Sequence, residues 1–233
     1  MSFYYGQFCP VAKAAEILGE RWTILILREL LLGPCRYSDF HRSLSRISPT
    51  LLTKRLSQLV DWGLVTRELQ PGGARYEYHL TAAGHELRPL IVGLGAWGMK
   101  WARGQMRQDE LDVHLLMHDY TRLIDVSHLP EGRIVIGFHF SRLPKFAHWW
   151  IVIEPDRTRE LCVDNPGSPV DILIRTDVRT MTEIWAGDTD IRVAKKDGRL
   201  NVSGDPGLIR TLSSWLRNSS LAHIRPAPEP LRV

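Results

Sequence analysis

The sequence has little of what a secreted or membrane-spanning protein needs. Its 233 residues include three cysteines, Cys9, Cys35 and Cys162, which are too few and too scattered for a disulfide framework or a zinc site. No run of about 18 apolar residues occurs, so no membrane span is expected. Residues 1–8 lack the basic segment with which a signal peptide begins. These absences predict a cytoplasmic protein in a reducing environment.

Motifs for catalysis or cofactor binding are also missing. The sequence contains no Gly-x-Ser-x-Gly elbow, no phosphate-cradling glycine loop and no His-Glu-x-x-His segment. His114 and His118 are four residues apart, a spacing that suits metal ligands, but no third ligand follows nearby. Packing or surface histidines are the favoured interpretation. We therefore expect no enzyme, no cofactor and no metal.

Positive charge is concentrated in the first part of the chain. The formal net charge is +4, and residues 1–103 hold 13 Lys/Arg against 8 Asp/Glu, whereas the remainder holds 17 against 18. A basic excess confined to one region is typical of a domain that contacts nucleic-acid phosphates. Hydrophobic residues make up 44% of the sequence, which is enough for a packed core.

The stretch from Ile47 to Gly63 predicts a helix with clear ends. Ser48 can cap the first backbone amides, and Pro49 suits the first helical position, where no N–H is needed. Gly63 can adopt the left-handed conformation that ends a helix. Four apolar residues form one buried stripe at helical spacing: Leu52, Leu56, Leu59 and Val60.

The opposite face of this helix carries hydroxyl, amide and cationic groups, and no carboxylate lies among them before Asp61. Such groups hydrogen-bond base edges and phosphates. A solvated surface helix is the alternative interpretation, and the neighbouring segments decide between the two. The face comprises Thr50, Lys54, Ser57 and Gln58, with Arg55 at its flank.

The segments on either side of the helix predict a winged helix-turn-helix. A short helix over residues 37–44 precedes it, and two alternating strands, 64–69 and 76–80, follow it around a Pro-Gly-Gly turn. The polar-faced helix would enter the major groove, and Arg75 on the hairpin would reach the DNA backbone or minor groove. The remaining candidate contacts are Arg36, which would hold a phosphate together with Arg42 and Arg46, and also Tyr37 and Ser48.

Several ordered motifs over residues 8–103 resemble HxlR-type (MarR-like) winged-helix regulators. They are Cys9-Pro10-Val11, Gly19-Glu20-Arg21-Trp22, Ile26-Leu27-Arg28-Glu29-Leu30, Arg36-Tyr37-Ser38-Asp39-Phe40, the stretch Ile47 to Leu56, and Tyr76 to Gly84. The resemblance implies a homodimeric transcription factor. It also implies that a cysteine at the position of Cys9 senses oxidants or electrophiles. Cys9 precedes a predicted helix, where the positive end of the dipole favours a thiolate; a small buried apolar residue is the alternative.

A long helix is predicted from Thr81 to about Arg103, with an apolar, aromatic stripe. A winged-helix domain alone has little core left to cover this stripe, so a second copy of the chain is the expected cover. The alternative is that the stripe packs on the protein's own second domain. The stripe consists of Leu87, Leu90, Leu94, Trp97 and Trp101.

The second half predicts strands over 133–140, 148–153, 160–163, 171–176 and 198–204, with helices at 178–186 and from 206 to 216. This pattern indicates a mainly antiparallel sheet. Residues 184–188 and 197–206 resemble sterol-carrier-protein-2-type domains, which implies a five-stranded sheet covered by helices and an apolar tunnel. The aromatic residues of this half fit two interpretations equally well, a ligand pocket and simple core packing. They are Phe138, Phe140, Trp149, Trp150 and Trp185.

The fold class predicted from these features is α+β. It comprises a winged helix-turn-helix domain over 1–103, a sterol-carrier-type sensor over 104–225 and a loose tail over 226–233. The leading hypothesis is a homodimeric transcriptional regulator of double-stranded DNA that responds to an apolar ligand. One rival is a thiol switch acting through Cys9 with a merely structural second domain. The other is a carrier of hydrophobic ligands that does not bind DNA.

Overall fold

The computed structural model describes residues 4–70, 73, 75–103, 107–229 and 231. The predicted hairpin turn includes Pro71, Gly72 and Ala74, and the predicted linker includes residues 104–106; these lie outside the described residues. The chain forms two compact units, Met1–Gly95 and Ala96–Val233. Each has its own hydrophobic core.

Four helices open the first unit: α1 (Pro10–Leu18), α2 (Thr23–Leu32), α3 (Tyr37–Ser43) and α4 (Pro49–Asp61). The predicted ends of α4 are confirmed. The Ser48 hydroxyl accepts a hydrogen bond from the Leu51 amide at 3.4 Å, and Pro49 occupies the first turn. Gly63 follows the helix with a φ of 69°, in the left-handed region that favours glycine.

A small antiparallel sheet completes the winged-helix arrangement. It consists of β1 (Cys35–Arg36), β2 (Val65–Leu69) and β3 (Tyr76–Leu80), in the order β1-β3-β2. Val65 pairs with Leu80 and Leu69 pairs with Tyr76, so β2 and β3 form the predicted hairpin. The core of this unit joins the buried stripe of α4 to residues of α2 and α3: Leu52, Leu56, Leu59, Ile26, Leu27, Leu30 and Phe40.

The long helix predicted after the hairpin is two helices, α5 (Ala82–Glu86) and α6 (Arg88–Trp101). Thr81 caps α5 as predicted, because its hydroxyl accepts a hydrogen bond from the Gly84 amide at 3.2 Å. The helix breaks at Leu87. Pro89 lies just beyond and has no N–H, so it cannot continue the hydrogen-bond ladder from α5, although it fits the first turn of α6.

The second unit is a five-stranded sheet with helices. Its strands are β4 (Ile134–Phe140), β5 (His148–Ile153), β6 (Arg159–Cys162), β7 (Ile172–Thr176) and β8 (Asn201–Gly204). The order is β6-β5-β4-β7-β8, and the central pair β4–β7 is parallel while every other pair is antiparallel. The prediction of a mainly antiparallel sheet is therefore confirmed. The helices are α7 (Val113–Leu123), α8 (Val178–Ala186), α9 (Ile191–Lys196), α10 (Pro206–Arg210) and α11 (Leu212–Trp215), with 3₁₀ turns at Gln108–Glu110 and Val126–His128.

The core of the second unit lies between one face of this sheet and its helices. Met117 and Tyr120 of α7 and Met181 and Ile184 of α8 are buried against it. The Tyr120 hydroxyl donates a hydrogen bond to the Met181 carbonyl at 3.0 Å, which fastens α7 to α8. Burial raises the pKa of Tyr120 far above its ordinary value, so this donor keeps its proton.

The boundary between the units and the C-terminal tail differ from prediction. The division falls after Gly95, inside α6, rather than at residue 103. Arg103 belongs to the second unit because its guanidinium donates to the Ala186 carbonyl at 2.6 Å. The tail is not loose over the residues described. Ala227 is buried and its amide donates to the Lys100 carbonyl at 2.7 Å, and the Leu231 amide donates to the Trp101 carbonyl at 2.9 Å.

Within the part of the chain that the structure describes, no helix combines the length and the hydrophobicity that crossing a membrane requires.

Candidate nucleic-acid interface

The outward face of α4 is a row of hydroxyl and cationic side chains. Thr50, Thr53, Lys54 and Ser57 are exposed at positions i, i+3, i+4 and i+7, and Gln58 is half-buried beside them. Among the described residues, Lys54 has no ion-pair partner. Because these groups share one side of a capped helix, they can meet the edges of bases together.

Arg55 does not lie on this face, which corrects its place in the predicted contact set. It is 6% exposed, and its guanidinium forms an ion pair with Glu20. Its Nε donates to the Arg21 carbonyl at 2.9 Å, and Nη1 donates to the Gln58 side-chain oxygen at 2.5 Å. Arg55 follows Leu52 by three residues and precedes Leu56 by one, so its side chain lies beside the buried stripe. Through Glu20 and Arg21 it connects α4 to the segment before α2.

A groove lies between α3, α4 and the hairpin, and we call it the wing groove. Its volume is about 640 Å³. Four arginines line it, and no carboxylate does so among the residues described there, so the groove is cationic. This distribution suits a phosphate backbone. The lining residues are Arg36, Tyr37, Ser38, Arg42, Thr53, Ser57, Arg67, Arg75, Tyr76 and Tyr78.

Aromatic rings hold the hairpin side of the wing groove. The Arg67 guanidinium lies over the Tyr76 ring at 3.7 Å from its centroid, a cation–π contact that orients the charge. Tyr78 is buried, and burial raises its pKa, so its phenol stays neutral. Neither Arg67 nor Tyr76 was predicted as a site residue. The position of Arg67 in the wing groove follows from the strand register, which pairs Arg67 with Tyr78 and which the sequence alone does not give.

Two of the predicted contacts have structural roles. The Tyr37 hydroxyl donates to the Pro49 carbonyl at 3.0 Å and lies 3.3 Å from the Thr53 hydroxyl, which fixes α3 against the start of α4. Ser48 is the helix cap described above. Tyr37 lines the wing groove together with the exposed Arg36 and with Thr53 and Ser57 of α4, so the exposed face of α4 continues into the wing groove.

Cys9 occupies the cap position immediately before α1 and is half-exposed. Its carbonyl accepts a hydrogen bond from the Lys13 amide at 3.0 Å, and its side chain makes no capping bond. None of the three cysteines, all of which lie in the described part of the chain, forms a disulfide.

The five aromatic residues predicted to line a ligand pocket do not face one common space. Trp149 and Trp150 are consecutive in β5 and therefore point to opposite faces of the sheet. Phe138 and Phe140 are almost fully buried and stack on one another at 6.3 Å, so they fill the core instead of lining a tunnel. Trp185 packs against the same core from α8.

The geometry defines a class of protein. Two helices joined by a turn, the second with an exposed polar and cationic face, are followed by a β-hairpin and an arginine-lined groove. This arrangement is a winged helix-turn-helix, which binds DNA.

Comparison with known proteins places the chain more narrowly. The HxlR-like helix-turn-helix family matches residues 17–106. An HTH-type transcriptional regulator of Synechocystis sp. is 34% identical over 115 residues, which span 49% of this chain and 82% of that protein. YvaP, an HTH-type transcriptional regulator of Bacillus subtilis, is 36% identical over 98 residues, 41% of this chain and 91% of YvaP. A similar regulator of Mycobacterium tuberculosis is 45% identical over 89 residues, 38% of this chain and 56% of that protein.

Through its N-terminal region the chain belongs to the HxlR-like helix-turn-helix family. It is a transcriptional regulator with a helix-turn-helix DNA-binding domain.

Proposed function

We propose that this regulator binds DNA as a homodimer, with α4 of each copy in the major groove, and that its second unit senses a small molecule. The exposed hydroxyl and cationic face of α4 beside the wing groove carries the proposal. Thr50, Lys54 and Gln58 would contact base edges. Arg36 and Arg75 would hold phosphates on either side, and Arg67, fixed on Tyr76, would join them.

An exposed apolar face on α6 supports the homodimer. Leu90, Leu94 and Trp97 are each at least 49% exposed and follow each other at helical spacing. Single apolar residues are common on surfaces, but a contiguous stripe of this kind marks an interaction surface. A second copy related by twofold symmetry would cover the stripe and place two α4 helices about 34 Å apart, one turn of DNA.

The sensor role rests on the second unit having a fold of its own. A five-stranded, mainly antiparallel sheet covered by helices is what the resemblance to sterol-carrier-type domains implies. The family match ends at residue 106, so almost all of the second unit is additional to the helix-turn-helix part of the chain. We therefore assign ligand sensing to it.

The test is a binding titration on the DNA upstream of the protein's own gene. Lys54→Ala removes a proposed contact with the DNA major groove and does not touch the protein core. We therefore expect the affinity for the specific DNA site to fall at least about tenfold, which is the effect of losing one good base contact. Lys196→Ala, which removes an exposed lysine from α9, is the matched control and should bind like the wild type. Wild-type affinity in Lys54→Ala would contradict the assignment of α4.

Salt dependence separates this proposal from a hydrophobic-ligand carrier that does not bind DNA. Each phosphate contact contributes a slope of about −0.9 to the logarithm of affinity against the logarithm of salt. Arg36→Ala and Arg75→Ala should each make this slope shallower by about one, and each should lower the affinity for all DNA sequences by the same factor. Affinity for DNA that does not respond to salt would favour the carrier.

A second candidate function is a thiol switch at Cys9, which its half-exposed position before α1 favours. Cys9→Ser should then abolish the loss of DNA binding caused by hydrogen peroxide. Cys162→Ser is the control, because burial raises the pKa of the Cys162 thiol and disfavours its reactive form. An unchanged peroxide response in Cys9→Ser would remove this candidate.

A further inference from the structure

A cavity in the second unit, which we call the α8 cavity, lies outside the carboxyl ends of β4 and β7. Its volume is about 290 Å³. The two strands are parallel neighbours at the centre of the sheet. The segment after β4 and the start of α8 after β7 form its walls. Crevices outside the carboxyl ends of adjacent parallel strands are where sheet proteins commonly bind ligands.

Both carboxylates that line the α8 cavity are already occupied. Asp177 caps α8: one of its oxygens accepts from the Thr180 amide and the other from the Thr180 hydroxyl, each at 2.9 Å. This cap also satisfies the helix terminus itself. Glu183 accepts from Arg199 at 2.7 Å. Arg199 thus neutralises Glu183, whereas the partners of Asp177 are uncharged and its negative charge remains. With three arginines against two carboxylates, the lining still has a formal net charge of +1, which favours an incoming anion.

Two further arginines line the α8 cavity without a carboxylate of their own. Arg142 directly follows β4 and, in the described part of the chain, has no hydrogen-bond or ion-pair partner. Arg179 is the second residue of α8 and donates to the neutral Gln108 side chain at 3.1 Å; among the residues that the structure describes, it has no carboxylate partner. Guanidinium groups bind carboxylates through paired, charge-assisted hydrogen bonds.

The remaining wall of the α8 cavity is apolar. Val178 is buried, and Leu111 and Leu143 are half-buried and pack against the core of the unit. A group placed between Arg142 and Arg179 thus has an apolar surface beside it. The volume is near the lower end of the range for small-molecule sites.

We propose that the α8 cavity binds a small organic carboxylate with a short apolar body. The carboxylate lies between Arg142 and Arg179, and the apolar body lies on Leu111, Leu143 and Val178. This proposal names the ligand class for the sensor role, and it rests on the proposed function only in assuming that the second unit is a sensor. Binding is measured without DNA, so a failure here is distinguishable from a failure of DNA recognition.

The experiment is calorimetric titration of the full-length protein with octanoate, and with octanamide as a neutral compound of the same shape. Loss of one charge-assisted hydrogen bond weakens binding about tenfold or more. We therefore expect one octanoate site per chain and octanamide binding at least about tenfold weaker. Equal binding of the two compounds, or no saturable binding of octanoate, would overturn the proposal.

Variants locate the site. Arg142→Gln and Arg179→Gln should each weaken octanoate about tenfold and leave octanamide unchanged, since only the charged partner is lost. Arg142 is exposed and Arg179 is half-buried, and neither belongs to the hydrophobic core, so we expect both variants to fold; a thermal melt verifies this. Arg192→Gln on the exposed side of α9 is the control. Wild-type octanoate affinity in both cavity variants would place the carboxylate elsewhere and overturn the proposal.

Discussion

At the scale of single residues, burial decides which cations of α4 are available to DNA. Lys54 and Arg55 are neighbours in sequence and chemically alike, yet Lys54 is exposed and Arg55 is enclosed by Glu20, the Arg21 carbonyl and Gln58. The helical period alone places Arg55 at the flank of the polar face. Its partner Glu20 lies 35 positions earlier in the sequence, so only the tertiary structure shows the ion pair.

Arg55→Ala should therefore destabilise the first unit. The substitution leaves the Glu20 carboxylate, whose side chain is 11% exposed, without its cation. Breaking a buried ion pair from one side costs about 3 kcal/mol or more. Urea unfolding measures the change. Arg42→Ala, which removes an arginine with a 65% exposed side chain, should stay within about 0.5 kcal/mol of the wild type. If Arg55→Ala unfolds like the wild type but binds DNA weakly, Arg55 is a DNA contact after all.

Asp125 gives the second unit a dependence on acid pH. Its carboxylate accepts from the Ser127 hydroxyl at 2.6 Å and from Arg217 at 3.1 Å, and these bonds hold its pKa well below the ordinary value. A depressed pKa in the folded state means that the stabilisation is complete above the unfolded-state pKa, about 3.9. It is lost as pH falls from there through the folded-state pKa.

Asp125→Asn should consequently lower the free energy of unfolding at pH 7, and the difference from the wild type should shrink as pH falls below about 4. Unfolding series at several pH values measure it. Asp164→Asn, at an exposed position outside the helices and strands, is the control and should show no such convergence. A constant difference between Asp125→Asn and the wild type at all pH values would mean that the side chain acts through packing and not through its charge.

At the scale of helices and strands, the sequence predicted the ends of an element correctly where a residue type has one favoured structural role. Ser48, Pro49 and Gly63 mark the ends of α4, and the alternation in β3 and the apolar run in β5 mark those strands at their observed bounds. The break at Leu87 was missed because the apolar stripe runs through it without a change of period. The predicted aromatic residues do not line one common space, because aromatic content does not reveal which face of a strand a ring occupies.

Glycines in α5 and α6 should respond in opposite ways to the same substitution. A Cβ added to Gly84 would lie 2.3 Å from the Leu64 carbonyl oxygen, so Gly84→Ala must displace the backbone before β2 and destabilise the first unit. A Cβ on Gly93 meets nothing within 4 Å in the single chain. Gly93→Ala should therefore stabilise α6 by up to about 1 kcal/mol.

Thermal unfolding measures the stability of both glycine variants, first at low protein concentration and then over a series of higher concentrations. Each variant serves as the control for the other. Destabilisation by Gly93→Ala that grows with protein concentration would show that a second copy approaches α6 closely at this position. Equal effects of the two substitutions would contradict the packing described around Gly84.

At the scale of the whole molecule, the proposed homodimer depends on the apolar face of α6. Leu94→Glu puts a charge at the middle of that face, where burial against a second copy would cost several kcal/mol. We expect sedimentation to show a monomer, and DNA affinity to fall because the two α4 helices are no longer joined. Leu69→Glu, at an exposed apolar position on the hairpin, is the control for the change of charge and should remain dimeric. A monomeric wild type would refute the dimer.

The parallel pairing of β4 with β7 has a consequence for how the chain matures during synthesis. The buried residues of the first core lie between Ile26 and Tyr78, so that core is complete early. In the second unit, β4 finds β5 at once, but its other edge stays open until Ile172–Thr176 has left the ribosome. Contacts between distant segments form late, and an open strand edge attracts other strands. The nascent polypeptide thus acquires its DNA-binding part first and exposes its greatest aggregation hazard afterwards, during the interval in which chaperones matter most to it.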